Sequence, residues 1–247
     1  MANILILGAG SMGTAFSFPC SDNGHSVSIV GTHLENDFID KINSTKKHPA
    51  LDCEVQKNVK FFKFEKLKEE INKKIDLIVI AVVSKGIEWA SNEISKVLKS
   101  NAPILILTKG LAINNNNYEV LAHKMERLLK KNGMKETNIS AAGGPCLAKN
   151  LANKAHTAVV FANNDIKIAE KISKLVSTDY YHVSTSDDVV GVETCAAIKN
   201  IFSMAVGASQ GLCDAKQSKE KNYLNTAAAL MQESIYEMIT FVEKLKG

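Results

Sequence analysis

An apolar run at residues 4–7 passes without a break into Gly8-Ala9-Gly10-Ser11-Met12-Gly13, and residues 14–23 continue as a helix that stops near Asn23-Gly24. A strand, three glycines at this spacing and a helix in direct succession restrict the fold more than any other feature of the chain. The first glycine permits a tight turn, the second lets a phosphate approach the backbone, and the third lets helix and strand pack closely. The helix N-terminus then offers its unpaired N–H groups to an anion. A glycine-rich turn without a ligand would carry the same letters. Placement directly after the first strand favours the dinucleotide-binding turn.

Strand and helix signals alternate from there. Apolar, β-branched runs at 26–30, 59–63, 77–82, 103–107, 139–142, 157–161 and 181–184 predict strands, with helices at 34–44, 65–74, 86–99 and 118–131 between them. A lysine-rich loop precedes the strand at 59, and 114–117 is a short polar loop. Such alternation predicts an α/β domain over residues 1–186, with a Rossmann-like, doubly wound, mostly parallel sheet. Strand signals cease after Asp187-Asp188, and 189–210 and 226–245 read as two long helices separated by a polar stretch at 214–222. Asp187 or Asp188 would cap the first helix. Residues 187–247 therefore form a second, all-helical domain.

Composition removes several functions. The net charge is +4 and the basic residues are dispersed, so no nucleic-acid stripe exists. Five cysteines, odd in number and without C-x-x-C spacing, predict reduced thiols in a cytoplasmic protein. The histidines lack ligand spacing, and no metal is expected. The longest apolar run, 77–83, reads as a buried strand, so no membrane span is expected. Arg127 is the only arginine among 30 basic residues. An anion site must use lysines and backbone N–H groups unless it uses Arg127, because no other bidentate guanidinium is available.

Three further segments carry chemistry. Residues 191–201 read as a helix whose apolar body holds Lys199, followed by Asn200. A lysine there either snorkels to water or loses solvation, which lowers its pKa towards a value useful for acid/base work. Thr108-Lys109-Gly110 follows the strand at 103–107, where ligands of parallel sheets bind, so Lys109 is either an ordinary turn lysine or a contact to a bound anion. Gly143-Gly144-Pro145-Cys146 follows another strand and allows close backbone approach. The second strand runs into Gly31-Thr32-His33 with no acid before Glu35, so Thr32 and His33 face either a ribose hydroxyl or a 2′-phosphate, leaving NAD and NADP both open.

Gly8-Ala9-Gly10-Ser11-Met12-Gly13, Thr108-Lys109-Gly110-Leu111, Gly144-Pro145-Cys146-Leu147-Ala148-Lys149 and Asp188-Val189-Val190-Gly191-Val192-Glu193 with Ala197-Ile198-Lys199-Asn200 occur in an order and spacing that resembles the NAD(P)-dependent glycerol-3-phosphate dehydrogenases. The resemblance spans nearly the whole chain. It implies that Gly8, Gly10, Ser11, Met12 and Gly13 hold the dinucleotide, with Ala148 near it, and that Lys109 touches cofactor and substrate. Gly144, Cys146 and Asn200 would line the substrate site, where many relatives have serine at the position of Cys146. Lys199 would be the catalytic acid/base, exchanging the C2 hydroxyl proton of glycerol 3-phosphate as hydride passes to or from the nicotinamide.

The chain departs from the family in two places. Its members usually continue into a helical lobe that brings an aspartate and an Arg-Asn pair to the site, whereas this sequence stops at Gly247, so a partial helical domain is expected. Many relatives carry arginine at or beside Glu233; here the pair is Gln232-Glu233. Met231, Ile235, Met238, Val242 and Leu245 recur at helical spacing and are expected to be partly exposed or covered by a second copy, as in a homodimer. A related hydroxyacid or ketoacid reductase, and a dinucleotide-binding module without catalysis, are the alternative readings.

Overall fold

The computed structural model describes residues 1–51, 53–215 and 224–246. The chain opens with β1 (Asn3–Leu7), α1 (Ser11–Asp22), β2 (Ser26–Val30) and α2 (Asn36–Thr45). A small hairpin, β3 (Lys47–His48) and β4 (Cys53–Glu54), leads to β5 (Val59–Phe62), α3 (Leu67–Ile71), β6 (Leu77–Ile80), α4 (Ile87–Val97) and β7 (Ile104–Ile106). A second hairpin, β8 (Leu111–Asn114) and β9 (Asn117–Val120), precedes α5 (Leu121–Lys131), β10 (Ile139–Gly143), α6 (Ala148–Ala152), β11 (Thr157–Ala162), α7 (Ile166–Val176) and β12 (Tyr181–Ser186). Two long helices follow, α8 (Val189–Ala215) and α9 (Leu224–Lys246).

Eight strands form one sheet in the order β12-β11-β10-β7-β6-β1-β2-β5. All neighbours pair in parallel except β10 and β11, which pair antiparallel. The expected doubly wound sheet is therefore present. Alternation along β1 explains its two-sided burial. Ile4 and Ile6 enter a core with Phe16, Ile29, Val79 and Phe161, whereas Leu5 and Leu7 enter another with Ile78, Ile80, Ile87 and Ile106. Each fully buried aliphatic side chain contributes roughly 1.5–3 kcal/mol. Leu7 lies opposite both Val30 and Ile80, so β1, β2 and β6 end level, and the glycine-rich loop leaves the sheet where strand order reverses.

Three expectations change. The helix expected over 118–131 starts at Leu121, because Asn115 and Asn116 take φ of 48° and 64° and fold β8 back on β9. Asparagine tolerates that left-handed turn, and the two strands follow from it. The lysine-rich loop contains the β3–β4 pair, with His48 buried at 1% exposure. The expectation of no membrane-length run fails for α8: Val189–Leu212 is long and apolar enough to cross a bilayer by length and composition. Two charges, Glu193 and Lys199, broke the run in a linear reading, although its mean hydropathy is 1.4.

The N-terminal half of α8 lies on β10, and α9 lies along α8. Asp188, one of the two expected caps, accepts the Gly191 N–H at 2.8 Å. In the apolar stripe of α9, Val242 is buried, Met238 and Leu245 are half-buried, and Met231 and Ile235 are 54% and 49% exposed. Most of the polar stretch expected at 214–222 lies outside the described residues.

Candidate functional site

The glycine-rich loop has the geometry its sequence requires. Gly8 takes φ +111°, and a Cβ there would lie 2.7 Å from the Ala81 carbonyl oxygen. A Cβ on Gly13 would collide with the Gly8 carbonyl oxygen, so neither position accepts a side chain. Gly10 differs: the nearest atom to its would-be Cβ is Glu35 Oε1 at 3.9 Å. Glycine at this position clears space beside the loop. Gly10 also caps α1 without any side-chain acceptor, so the first-turn N–H groups of Ser11, Met12 and Gly13 lack a side-chain partner. Cleared space and donors at the N-terminus of a helix fit a pyrophosphate.

Glu35 borders the same loop, which the linear reading did not foresee. Its Oε2 accepts the Thr32 N–H at 2.7 Å and the Ala9 N–H at 3.2 Å. The signal available in the sequence was an acid within one turn of the end of β2. Thr32 thus contributes its backbone here, and exposed His33 packs on Trp89 with ring centroids 5.2 Å apart. Phe64 joins them, 5.2 Å from Trp89.

Across the sheet, the segments after β7 and β10 bring Lys109 to Gly144, and α8 carries Lys199 beside them. Thr108 Oγ1 donates to the Val82 carbonyl at 2.6 Å and fixes the turn that carries Lys109. Lys109 Nζ donates to the Gly144 carbonyl at 3.1 Å. Its pKa falls through burial first and the nearby Lys199 ammonium second. Cys146 feels both lysines, but burial is stronger and raises its thiol pKa. These shifts bring Lys109, Cys146 and Lys199 within one electrostatic neighbourhood. A small cavity of about 20 Å³ lies between Met12, Lys109, Gly144, Cys146 and Tyr181. An open groove of about 590 Å³ holds Lys199, Asp188, Cys195, Met238 and Glu243, and the two share Gly143 and Gly144.

Two expected positions sit differently. Lys199 is half-buried rather than enclosed, because its apolar neighbours Ile201 and Met204 are 65% and 72% exposed. Asn200 is exposed and lines neither cavity. Ala148 opens α6 and packs partly on the core, lining neither cavity. Another unforeseen residue is Glu193, one turn into α8 and 4% exposed. Its Oε2 accepts the Ala122 N–H at 2.9 Å and so caps α5 from another element. Among the described residues, no group of three His, Cys, Asp or Glu is placed to hold a metal ion.

Comparisons with known proteins place the chain in a family. A family model described as the NAD-dependent glycerol-3-phosphate dehydrogenase N-terminus matches residues 3–169, and the corresponding C-terminus matches 188–247. An NADP(+)-dependent glycerol-3-phosphate dehydrogenase of Archaeoglobus fulgidus is 29% identical over 99% of the chain and 70% of its own length. A glycerol-3-phosphate dehydrogenase [NAD(P)+] of an Exiguobacterium species is 30% identical over 99% of the chain and 67% of its own length. The chain thus spans about two thirds of the curated relatives it matches. The Coxiella burnetii glycerol-3-phosphate dehydrogenase structure superposes with a TM-score of 0.78 at 25% identity, covering all of this chain and 70% of that one. The Plasmodium falciparum one gives a TM-score of 0.80 at 22% identity, over 97% and 65%.

Proposed function

Because the chain belongs to the NAD-dependent glycerol-3-phosphate dehydrogenase family, we propose that it interconverts sn-glycerol 3-phosphate and dihydroxyacetone phosphate with Lys199 as the acid/base. The observation that carries this reading is the position of Lys109 and Cys146 on one cavity and Lys199 on another, the two sharing Gly143 and Gly144 at the carboxyl edge of the sheet. Gly8, Gly10, Ser11, Met12 and Gly13 would hold the pyrophosphate of NAD or NADP, with Ala148 alongside. The bound cofactor would supply or accept the hydride at C2. Lys199 Nζ would take the proton from the C2 hydroxyl on oxidation and return it to the carbonyl oxygen on reduction. Lys109, whose ammonium is partly desolvated, would attract the anionic substrate.

The division into a cofactor domain at 1–186 and a helical domain at 187–247 belongs to the same reading, with α8 as a core helix rather than a membrane span. Glu193, buried against α5 within α8, supports that assignment. A second copy would cover Met231 and Ile235 on α9, which light scattering at micromolar concentration tests. Reduction of dihydroxyacetone phosphate with NADH or NADPH, lost in Lys199→Ala, is the expected result for the activity. Turnover near the wild-type rate in that variant would remove Lys199 from its role, and turnover only with a non-phosphorylated ketoacid would replace the substrate.

A further inference from the structure

We propose that Glu35 makes this chain select NAD over NADP, by occupying the place where the adenosine ribose meets the end of β2 with a negative charge that no ion pair among the described residues offsets. The inference rests on the dinucleotide-binding part of the reading above. Glu35 is the N-cap residue of α2, but its side chain makes no cap hydrogen bond there. Its side chain folds back, and one oxygen is held by the N–H groups of Thr32 and Ala9. The other oxygen faces the open side of Gly10, 3.9 Å from the would-be Cβ. The carboxylate therefore spans β2 and the first loop, where a ribose lies in doubly wound dinucleotide sites. A 2′,3′-diol can donate to it. A 2′-phosphate would instead bring like charge against it.

Among the described residues, no arginine or ion-paired lysine compensates that charge. Arg127, the sole arginine, gives both its Nε and Nη2 to Glu119 at 2.8 Å, between β9 and α5. No ion pair among the described residues includes Glu35. His48 is the titratable ring that senses Glu35 and the Ala9 backbone, but burial lowers its pKa and Nδ1 already accepts the N–H groups of Ala50 and Leu51. Burial thus disfavours its charged form. The matching family model is described as NAD-dependent, the Exiguobacterium relative is named for NAD(P)+ and the Archaeoglobus one for NADP(+), so the selection rests on this chain's own residues.

Binding to the full chain provides the test, read by nucleotide fluorescence with NADH and NADPH and by calorimetry with 5′-AMP and adenosine 2′,5′-bisphosphate. NADH and 5′-AMP should bind at least about tenfold more tightly than their 2′-phosphorylated counterparts, as expected for an uncompensated like-charge contact. Glu35→Gln keeps an acceptor oxygen for Thr32 and Ala9 and should bring the ratio near one. Equal wild-type affinities, or a wild-type ratio retained in a folded Glu35→Gln, would overturn the proposal. Selective NADH binding without turnover of dihydroxyacetone phosphate would uphold it while overturning the dehydrogenase reading. Failure to bind either dinucleotide would overturn the cofactor reading and this inference together.

Discussion

A β-carbon placed on Gly143 would lie 2.6 Å from Val192 Cγ1. The strand that ends at the crevice and the helix that carries Lys199 are thus pressed together where only glycine fits. Gly143 borders both cavities, so any shift of α8 at this contact alters the distance between the two lysines.

Gly143→Ala should therefore destabilise the protein by about 1–3 kcal/mol, the usual cost of overpacking a tight contact. Urea unfolding measures it. Val192→Ala in the same chain should recover part of the loss by removing Cγ1, although the Val192 carbonyl oxygen, 3.0 Å from the same would-be Cβ, limits the recovery. Additive losses in the double variant would contradict the contact.

Stability should fall as pH rises from about 4.5 to 7, through Glu193. Burial raises its pKa from 4.5 to about 7, opposed by N–H donors from Ala122 and Leu121. The folded state holds this proton more tightly than the unfolded chain does. The full contribution is present below the unfolded value and is lost as pH climbs through the folded one. The shift corresponds to roughly 3 kcal/mol. Glu193→Gln should flatten that part of the profile while keeping an acceptor for Ala122. Denaturant midpoints at pH 5 and 8 for both proteins decide it; parallel slopes would refute the assignment.

Cys146 should alkylate slowly at pH 7.5, since burial outweighs the two lysines that favour its thiolate. Lys109→Gln removes one of them and should slow iodoacetamide labelling further, as read by peptide mass spectrometry. Faster labelling in the variant would show that access, not charge, controls this thiol.

Asp165 caps α7 by accepting the Lys167 N–H at 3.1 Å. Asp165→Ala should cost about 1 kcal/mol, seen as a lower thermal midpoint. Asp165→Asn should recover most of it; if it does not, charge rather than capping is responsible.

The sheet was legible because parallel strands buried on both faces leave continuous apolar runs, as at 77–80 and 104–106, and because Gly8 and Gly13 have steric duties that the letters announce. The β8–β9 hairpin was not. Its strands are only four residues each, and the left-handed pair Asn115 and Asn116 sets the turn between them. Glu35 escaped notice for a related reason: its role depends on a side chain that turns back across a helix start, which periodicity does not encode. Glu193 lay inside the most informative motif of the chain, yet its partner Ala122 is 71 residues away. A linear reading found the residues of the lysine crevice without showing how far α8 leaves Lys199 open to water.

Lys109 is partly desolvated and also sits in the field of the Lys199 ammonium, and both effects disfavour its charge. A neutral polyol would leave that positive field uncompensated, whereas an anion would relieve it. Under the proposed function, discrimination by charge would therefore come before discrimination by shape.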